Sequence, residues 1–175
     1  SSPDGFFGHA LVDLMKLGSK LIVVDPQVTW IAAHAEYHLQ LRPGTDTALA
    51  LAMCNVIISE DLYNHEFVEK WVYGFNEFAQ CAAEWTPEKA GEICWIPAET
   101  IQGAARAFAT NYPSSALWGL SIDTMTNGVQ AGHTFLAICA LCGYMDIPGG
   151  ITLARPSSFT GKWRYETVNS VPDEV

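Results

Sequence analysis

Apolar positions fall at Phe7, Ala10, Leu11 and Leu14, the spacing of one helix face, and Gly18 follows as a stop. The period then changes. Leu21-Ile22-Val23-Val24 is an unbroken aliphatic run closed by Asp25-Pro26. Such a run predicts a strand buried on both faces, the kind found in parallel sheets. Pro26 ends it, having no N–H to donate to a ladder. Residues 28–35 are alanine-rich and predict a short helix, and Tyr37-His38-Leu39-Gln40-Leu41 alternates, predicting a brief second strand.

Arg42-Pro43-Gly44-Thr45-Asp46 predicts a turn, with Thr45 or Asp46 capping a helix that carries Leu49, Ala52, Met53, Val56 and Ile57 on one face. A further amphipathic segment over 66–71 ends near Gly74. Thr86-Pro87-Glu88 is an N-cap followed by proline at the first helical position, and Pro97-Ala98-Glu99 repeats the signal before Ile101, Ala104, Ala105, Phe108 and Ala109. Residues 116–120 predict a third strand, and Asn127-Gly128 opens a buried helix that Pro148-Gly149-Gly150 ends. Residues 151–175 are mixed and polar and predict an irregular tail. The sum is an α/β fold: a small parallel Rossmann-like sheet flanked by helices. Three strands are few for a free-standing doubly wound domain, so the sheet is expected to be incomplete.

At 175 residues the chain has room for one ordinary domain, and 49% hydrophobic residues are enough to drive folding. Nine basic residues against 19 acidic ones give a net charge of −10, which opposes binding to nucleic-acid backbones and to anionic membrane surfaces. The most apolar run, residues 131–145, is shorter than the roughly 20 residues of a spanning helix. No basic-then-apolar leader opens the chain, so it is expected either to have lost one or to be a piece of something larger, and its compartment stays open.

The chemistry is sparse. Five cysteines are an odd number for a disulfide framework, and Cys139-x-x-Cys142 has neither a second pair nor a helix start, so both are expected as small core residues. His34, Glu36 and His38 do not keep zincin spacing, and Ser114, Ser115, Ser157 and Ser158 have no nucleophile-elbow context. No G-x-G-x-x-G follows the first strand and no Walker A lysine exists. Trp118, at the end of the third predicted strand, is expected in the core. Two strand-end loops remain, Asp25-Pro26-Gln27 and Arg42-Pro43-Gly44-Thr45-Asp46. Ligands of open α/β sheets bind beyond such strand ends, where a carboxylate can accept from ribose hydroxyls or from the N–H edge of guanine. The same residues also make an ordinary turn and an ordinary helix cap. Pattern alone leaves both readings open.

The order and spacing of Val24-Asp25-Pro26-Gln27-Val28-Thr29, then Ala32-Ala33-His34-Ala35, then Leu41-Arg42-Pro43-Gly44-Thr45-Asp46 resemble the molybdopterin oxidoreductases of the dimethyl sulfoxide reductase family. Asp61-Leu62-Tyr63, Phe67-Val68, Tyr73-Gly74-Phe75, Pro97-Ala98-Glu99, Trp118-Gly119, Asn127-Gly128 and Ile147-Pro148-Gly149-Gly150 continue the resemblance to about residue 150, and Ser2-Pro3-Asp4-Gly5 is similar to the segment after the family's "WGxNP" loop.

The resemblance implies that residues 1–150 are an internal piece of a molybdopterin-guanine-dinucleotide-binding domain. The parent enzyme would carry molybdenum or tungsten on two such dinucleotides. Carried over by position, Asp25, Pro26 and Gln27 would contact one dinucleotide, and Gly44, Thr45 and Asp46 would form the second wall. Gly119, Leu120 and Thr124 would approach more loosely. Asp46 would read the guanine edge and Asp25 the ribose. Gln27 stands where the family frequently has arginine, which removes a cationic partner for phosphate.

The iron–sulfur cysteines and the metal-ligating residue of the family lie upstream of this segment, and the C-terminal cap lies beyond it. The chain alone is therefore expected to be inactive and to lack the cofactor. Its partners would be the remainder of the parent polypeptide, or further copies of itself joined through exposed apolar surface. Two other readings stand beside this one: a non-catalytic α/β module that binds a small nucleotide, and an interaction surface.

Overall fold

The computed structural model describes residues 6–153. Its elements run α1 (Phe6–Lys16), β1 (Ile22–Val24), β2 (Tyr37–Leu39), α2 (Asp46–Ser59), α3 (His65–Trp71), α4 (Phe75–Ala83), α5 (Pro87–Cys94), α6 (Ala98–Thr110), α7 (Leu120–Asp123) and α8 (Gly128–Leu141). The start of the chain and the predicted polar tail from 154 onward, with Ser157 and Ser158, lie outside the described residues.

β1 and β2 pair in parallel, with Ile22 opposite Tyr37, Val23 opposite His38 and Val24 opposite Leu39. The described fold is therefore mostly helical with a small two-stranded parallel sheet. β1 is half-buried, not buried on both faces as its aliphatic run predicts. It is the outer strand of a two-stranded ladder, and α6 packs against β2. Residues 28–35 form a single 3₁₀ turn, Ala32–His34, in place of the predicted helix.

Residues 116–119 do not form the predicted third strand: no backbone ladder reaches them among the described residues, and the chain turns into the short α7 at Leu120. An apolar run becomes a strand only where a neighbour accepts and donates its backbone hydrogen bonds. Trp118 accordingly stays 39% exposed, stacked on Phe135, and does not enter the core.

The core centres on α2. Ten of its 14 residues are buried, on all sides and not on the one predicted face. A helix apolar all round belongs in an interior, and α4, α5, α6 and α8 surround this one. Asn55, its half-buried polar residue, gives its side-chain amide to the carbonyl of Ala82 at the end of α4 (3.0 Å). α5 and α6 begin where the Thr-Pro and Pro-Ala-Glu signals place them, and Thr86 Oγ1 accepts from Lys89 N (3.3 Å). α4 has no forewarning in the pattern. Gly74, at φ 76°, is its N-cap as well as the end of the preceding segment.

Tyr144 locks α6 to the end of α8. It is 1% exposed, and its hydroxyl donates to the carbonyl of Ala109 (2.8 Å), one of the carbonyls a helix end leaves unpaired. Met145 and Ile151 then form an isolated parallel bridge around the Pro-Gly-Gly turn.

Candidate functional site

Parallel pairing sends the loops after β1 and β2 out of the same end of the sheet. Asp25 N donates to Leu39 O (3.3 Å), the ring of His38 bonds through Nε2 to Asp25 O (2.9 Å), and Gln40 Nε2 donates to Pro26 O (3.0 Å). Asp25 is half-buried, and its Oδ1 accepts from Gln27 N (2.8 Å) in a tight Asx turn. Pro26 and Gln27 are exposed.

The second loop closes on itself. Thr45 N and Thr45 Oγ1 both donate to Arg42 O, at 3.2 and 2.6 Å. Proline follows Arg42, and Gly44 sits at φ 85°, the left-handed position that a type II turn reserves for glycine. α5 braces this turn: Arg42 N donates to Cys94 O (2.8 Å), and Cys94 Sγ donates to Thr45 O (3.5 Å).

Asp46 begins α2 and is only 9% exposed. Among the described residues its carboxylate has no ion pair and accepts no hydrogen bond from another residue. Burial pushes its pKa above the ordinary aspartate value, and its own backbone N–H offsets this only in part. A helix N-terminus favours a carboxylate, so desolvation outweighs two favourable terms. The carboxylate is largely covered and has no donor from another residue, but it is not wholly enclosed: among the described residues the fully buried side-chain polar atom without a partner is Trp30 Nε1, not an Asp46 oxygen.

Gly119 is the N-cap of α7, Leu120 is 74% exposed, and Thr124 closes the turn through Oγ1 to Leu120 O (3.0 Å). Three residues on, Asn127 Nδ2 donates to Thr47 Oγ1 (3.0 Å), which joins this turn to the start of α2 beside Asp46. The structure thus links residues 25–27 to the end of β2, and the 119–127 segment to the start of α2. Among the described residues no hydrogen bond joins the 25–27 loop directly to residues 44–46. The concavity of about 330 Å³ between α1 and the 30–34 segment, lined by Val12, Met15, Lys16, Trp30 and His34, includes none of the predicted site residues.

Two features of the site escape sequence reasoning. Trp95, just past α5, holds a left-handed backbone at φ 64°, is 71% exposed, and lies under the guanidinium of Arg42, whose Cζ is 5.3 Å from the ring centroid. Asn127 is visible in the sequence only as a turn residue, and its partner lies 80 positions away.

The other predicted chemistry disperses. His34 bonds to Trp30 O from a 3₁₀ turn, while His38 lies in β2, so the two share no face. Cys54, Cys139 and Cys142 are buried together between α2 and α8. Burial lifts Cys139 to about 11 and Cys142 to about 12, so they stay protonated at neutral pH. Among the described residues no group of three or more histidine, cysteine or acidic side chains is placed to hold a metal, and no helix is long and apolar enough to cross a membrane.

The profile of the family described as "Molybdopterin oxidoreductase" matches residues 9–161. Acetylene hydratase of Syntrophotalea acetylenica is 42% identical over 144 residues, 82% of this chain and 20% of that protein. Periplasmic nitrate reductase of Desulfovibrio desulfuricans is 35% identical across 83% of this chain and 20% of its own length. Formate dehydrogenase H of Escherichia coli is 32% identical across 79% and 19%. The solved structure of acetylene hydratase from Pelobacter acetylenicus superposes with a TM-score of 0.76 at 42% identity, covering 77% of this chain and 19% of that one. The chain spans about a fifth of the length of the curated relatives it matches.

Proposed function

The chain belongs to the molybdopterin oxidoreductase family, and on that premise we propose that it is the part of a larger enzyme that grips a guanosine end of a molybdopterin guanine dinucleotide. The observation that carries this reading is the Asp46 carboxylate, buried at the start of α2 without a donor from another residue. A carboxylate in that state fits a ligand edge presenting an N–H and an amino group side by side, as guanine does. Gly44 lets the backbone come close to such a ligand, and Thr45 holds the turn shut.

Asp25 would meet the ribose from the neighbouring strand end, flanked by Pro26 and Gln27, with Gly119, Leu120 and Thr124 as the looser third side. The relatives named for hydrating acetylene, reducing nitrate and oxidising formate all match over this one segment. A segment shared among such different reactions suits holding a common cofactor better than choosing a substrate. When bound, the cofactor would supply the metal centre at which an oxygen atom, electrons or water is transferred, and the remaining polypeptide would supply the metal ligand and the substrate pocket.

Guanosine added to the isolated chain should raise its melting temperature, by about 3–5 °C at tenfold excess over Kd. Asp46→Ala should erase the shift. Glu60→Ala, at the far end of α2 where the side chain pairs with Arg106, should keep it. A shift that persists in Asp46→Ala, or none with the native chain at millimolar guanosine, counts against the proposal. The latter outcome favours the interaction-surface reading.

A further inference from the structure

We infer that Arg42, held over the Trp95 ring, supplies the cationic contact to the anionic end of the guanosine ligand, with Trp95 as the residue that positions it. This rests on the reading of Asp46 given above and extends it from the base to the phosphates.

Charge comes first. The sequence has nine basic residues against 19 acidic ones. Arg106 is spent on a bidentate pair with Glu60 (2.7 Å for each bond). The Arg42 guanidinium has no carboxylate partner among the described residues; its contact is the Trp95 ring. Lys70 and Lys89 also lie over tryptophan rings without a carboxylate partner, so free charge makes Arg42 available to an incoming anion and its place in the turn before Asp46 singles it out.

Position comes second. Arg42 and Thr45 are the two ends of one hydrogen-bonded turn, so their Cα atoms lie within about 7 Å. The base acceptor Asp46 is the next residue. An arginine side chain anchored there reaches the far end of a nucleoside whose base sits on Asp46. The other loop offers no cation: its candidate position is Gln27, exposed and neutral.

Strain at Trp95 comes third. A bulky residue at φ 64° is held against its backbone preference. Burial of the ring does not compensate, since the residue is 71% exposed. The helix-closing bonds from Trp95 N and Ile96 N to Gly91 O hold this backbone, and the ring it sets at the surface carries the guanidinium. The backbone bond from Arg42 N to Cys94 O ties the two residues together at the main chain as well. A guanidinium stacked on an indole keeps its N–H edge outward and in a fixed plane, which suits bidentate phosphate recognition in a way a lysine would not.

Calorimetric titration of the chain with guanosine and with guanosine diphosphate, at low ionic strength, tests this. The diphosphate is expected to bind about tenfold more tightly than the nucleoside. Arg42→Ala should remove most of that advantage and leave the guanosine affinity unchanged. Trp95→Gly, which suits the left-handed backbone, should weaken the diphosphate alone by about two- to fivefold. Trp95→Phe should restore most of the loss.

Equal binding of the two ligands by the native chain, or a diphosphate advantage that survives Arg42→Ala, overturns the inference while the guanosine reading stands. A Trp95→Gly chain that binds the diphosphate like the native one removes the positioning role. If neither ligand binds, the Asp46 reading falls and this inference falls with it.

Discussion

At the scale of single residues, the proposed role of Asp46 in binding sets it against stability. Its carboxyl titrates above the ordinary aspartate value of 3.8 because burial penalises the charge. The folded state therefore holds this proton more tightly than the unfolded state does, and the linkage sign follows: the contribution of this group to stability falls as pH rises through the window between 3.8 and the raised value. Asp46→Asn should flatten that slope and raise the melting temperature at pH 7, by less than the roughly 4 °C that 1 kcal/mol would produce. It should at the same time abolish the guanosine-induced shift. Thermal scans at pH 4 and pH 7 with and without ligand would show it. An Asn variant less stable than the native chain at pH 7 would mean that the helix N-terminus, and not desolvation, governs the group. Asp46 was legible in the sequence because it closes a Pro-Gly-Thr-Asp motif. Trp95 was not, because nothing in a sequence marks a tryptophan that takes the left-handed position glycine ordinarily fills.

At the scale of elements, proline and polar caps marked helix starts well, as Thr86 and Pro97 show. Apolar runs marked strands only in part. Ile22–Val24 found β2 beside it, whereas residues 116–119 found no ladder partner, and partner availability is a tertiary fact. α2 was legible as a helix, but its burial on every side depends on four other helices folding over it. The close seating of α6 on the sheet was hidden in one glycine. A Cβ at Gly103 would come within 2.8 Å of the Tyr37 ring. Gly103→Ala gains about 1 kcal/mol of helix propensity but overpacks at a cost of about 1–3 kcal/mol. The net expectation is a loss of about 1 kcal/mol, measured by urea denaturation. Tyr37→Phe in the same background should not recover it, because the ring carbon Cε1 is the nearest atom met. A Gly103→Ala variant more stable than the native chain would show that the ring moves aside freely.

At the scale of the whole molecule, the chain leaves apolar surface in the open. Leu117, Leu120 and Val129 are 82, 74 and 83% exposed, and Trp118 and Leu136 lie in the same stretch of sequence. The chain spans about a fifth of its relatives, and in a larger polypeptide such a stretch is a natural seat for the rest of the molecule. Alone, two copies could cover it for each other. Burying three such side chains on each of the two copies, at about 2 kcal/mol apiece, yields about 12 kcal/mol in all, against an association cost of about 8 kcal/mol. The surplus is small, so pairing should be weak, with Kd in the range of about 1 mM. The net charge of −10 opposes it further at low salt. Raising the ionic strength screens that repulsion and leaves the apolar term in place, so association should strengthen with added salt, the reverse of a charge-driven contact. Sedimentation of the native chain across concentration, in low and high salt, should show weight-average mass rising with both. The Leu117→Ser, Val129→Ser double variant should stay monomeric throughout, its exposed positions leaving the fold intact. A native chain that sediments as a monomer at millimolar concentration in high salt would mean that this surface is tolerated as it stands and is no seat for a partner.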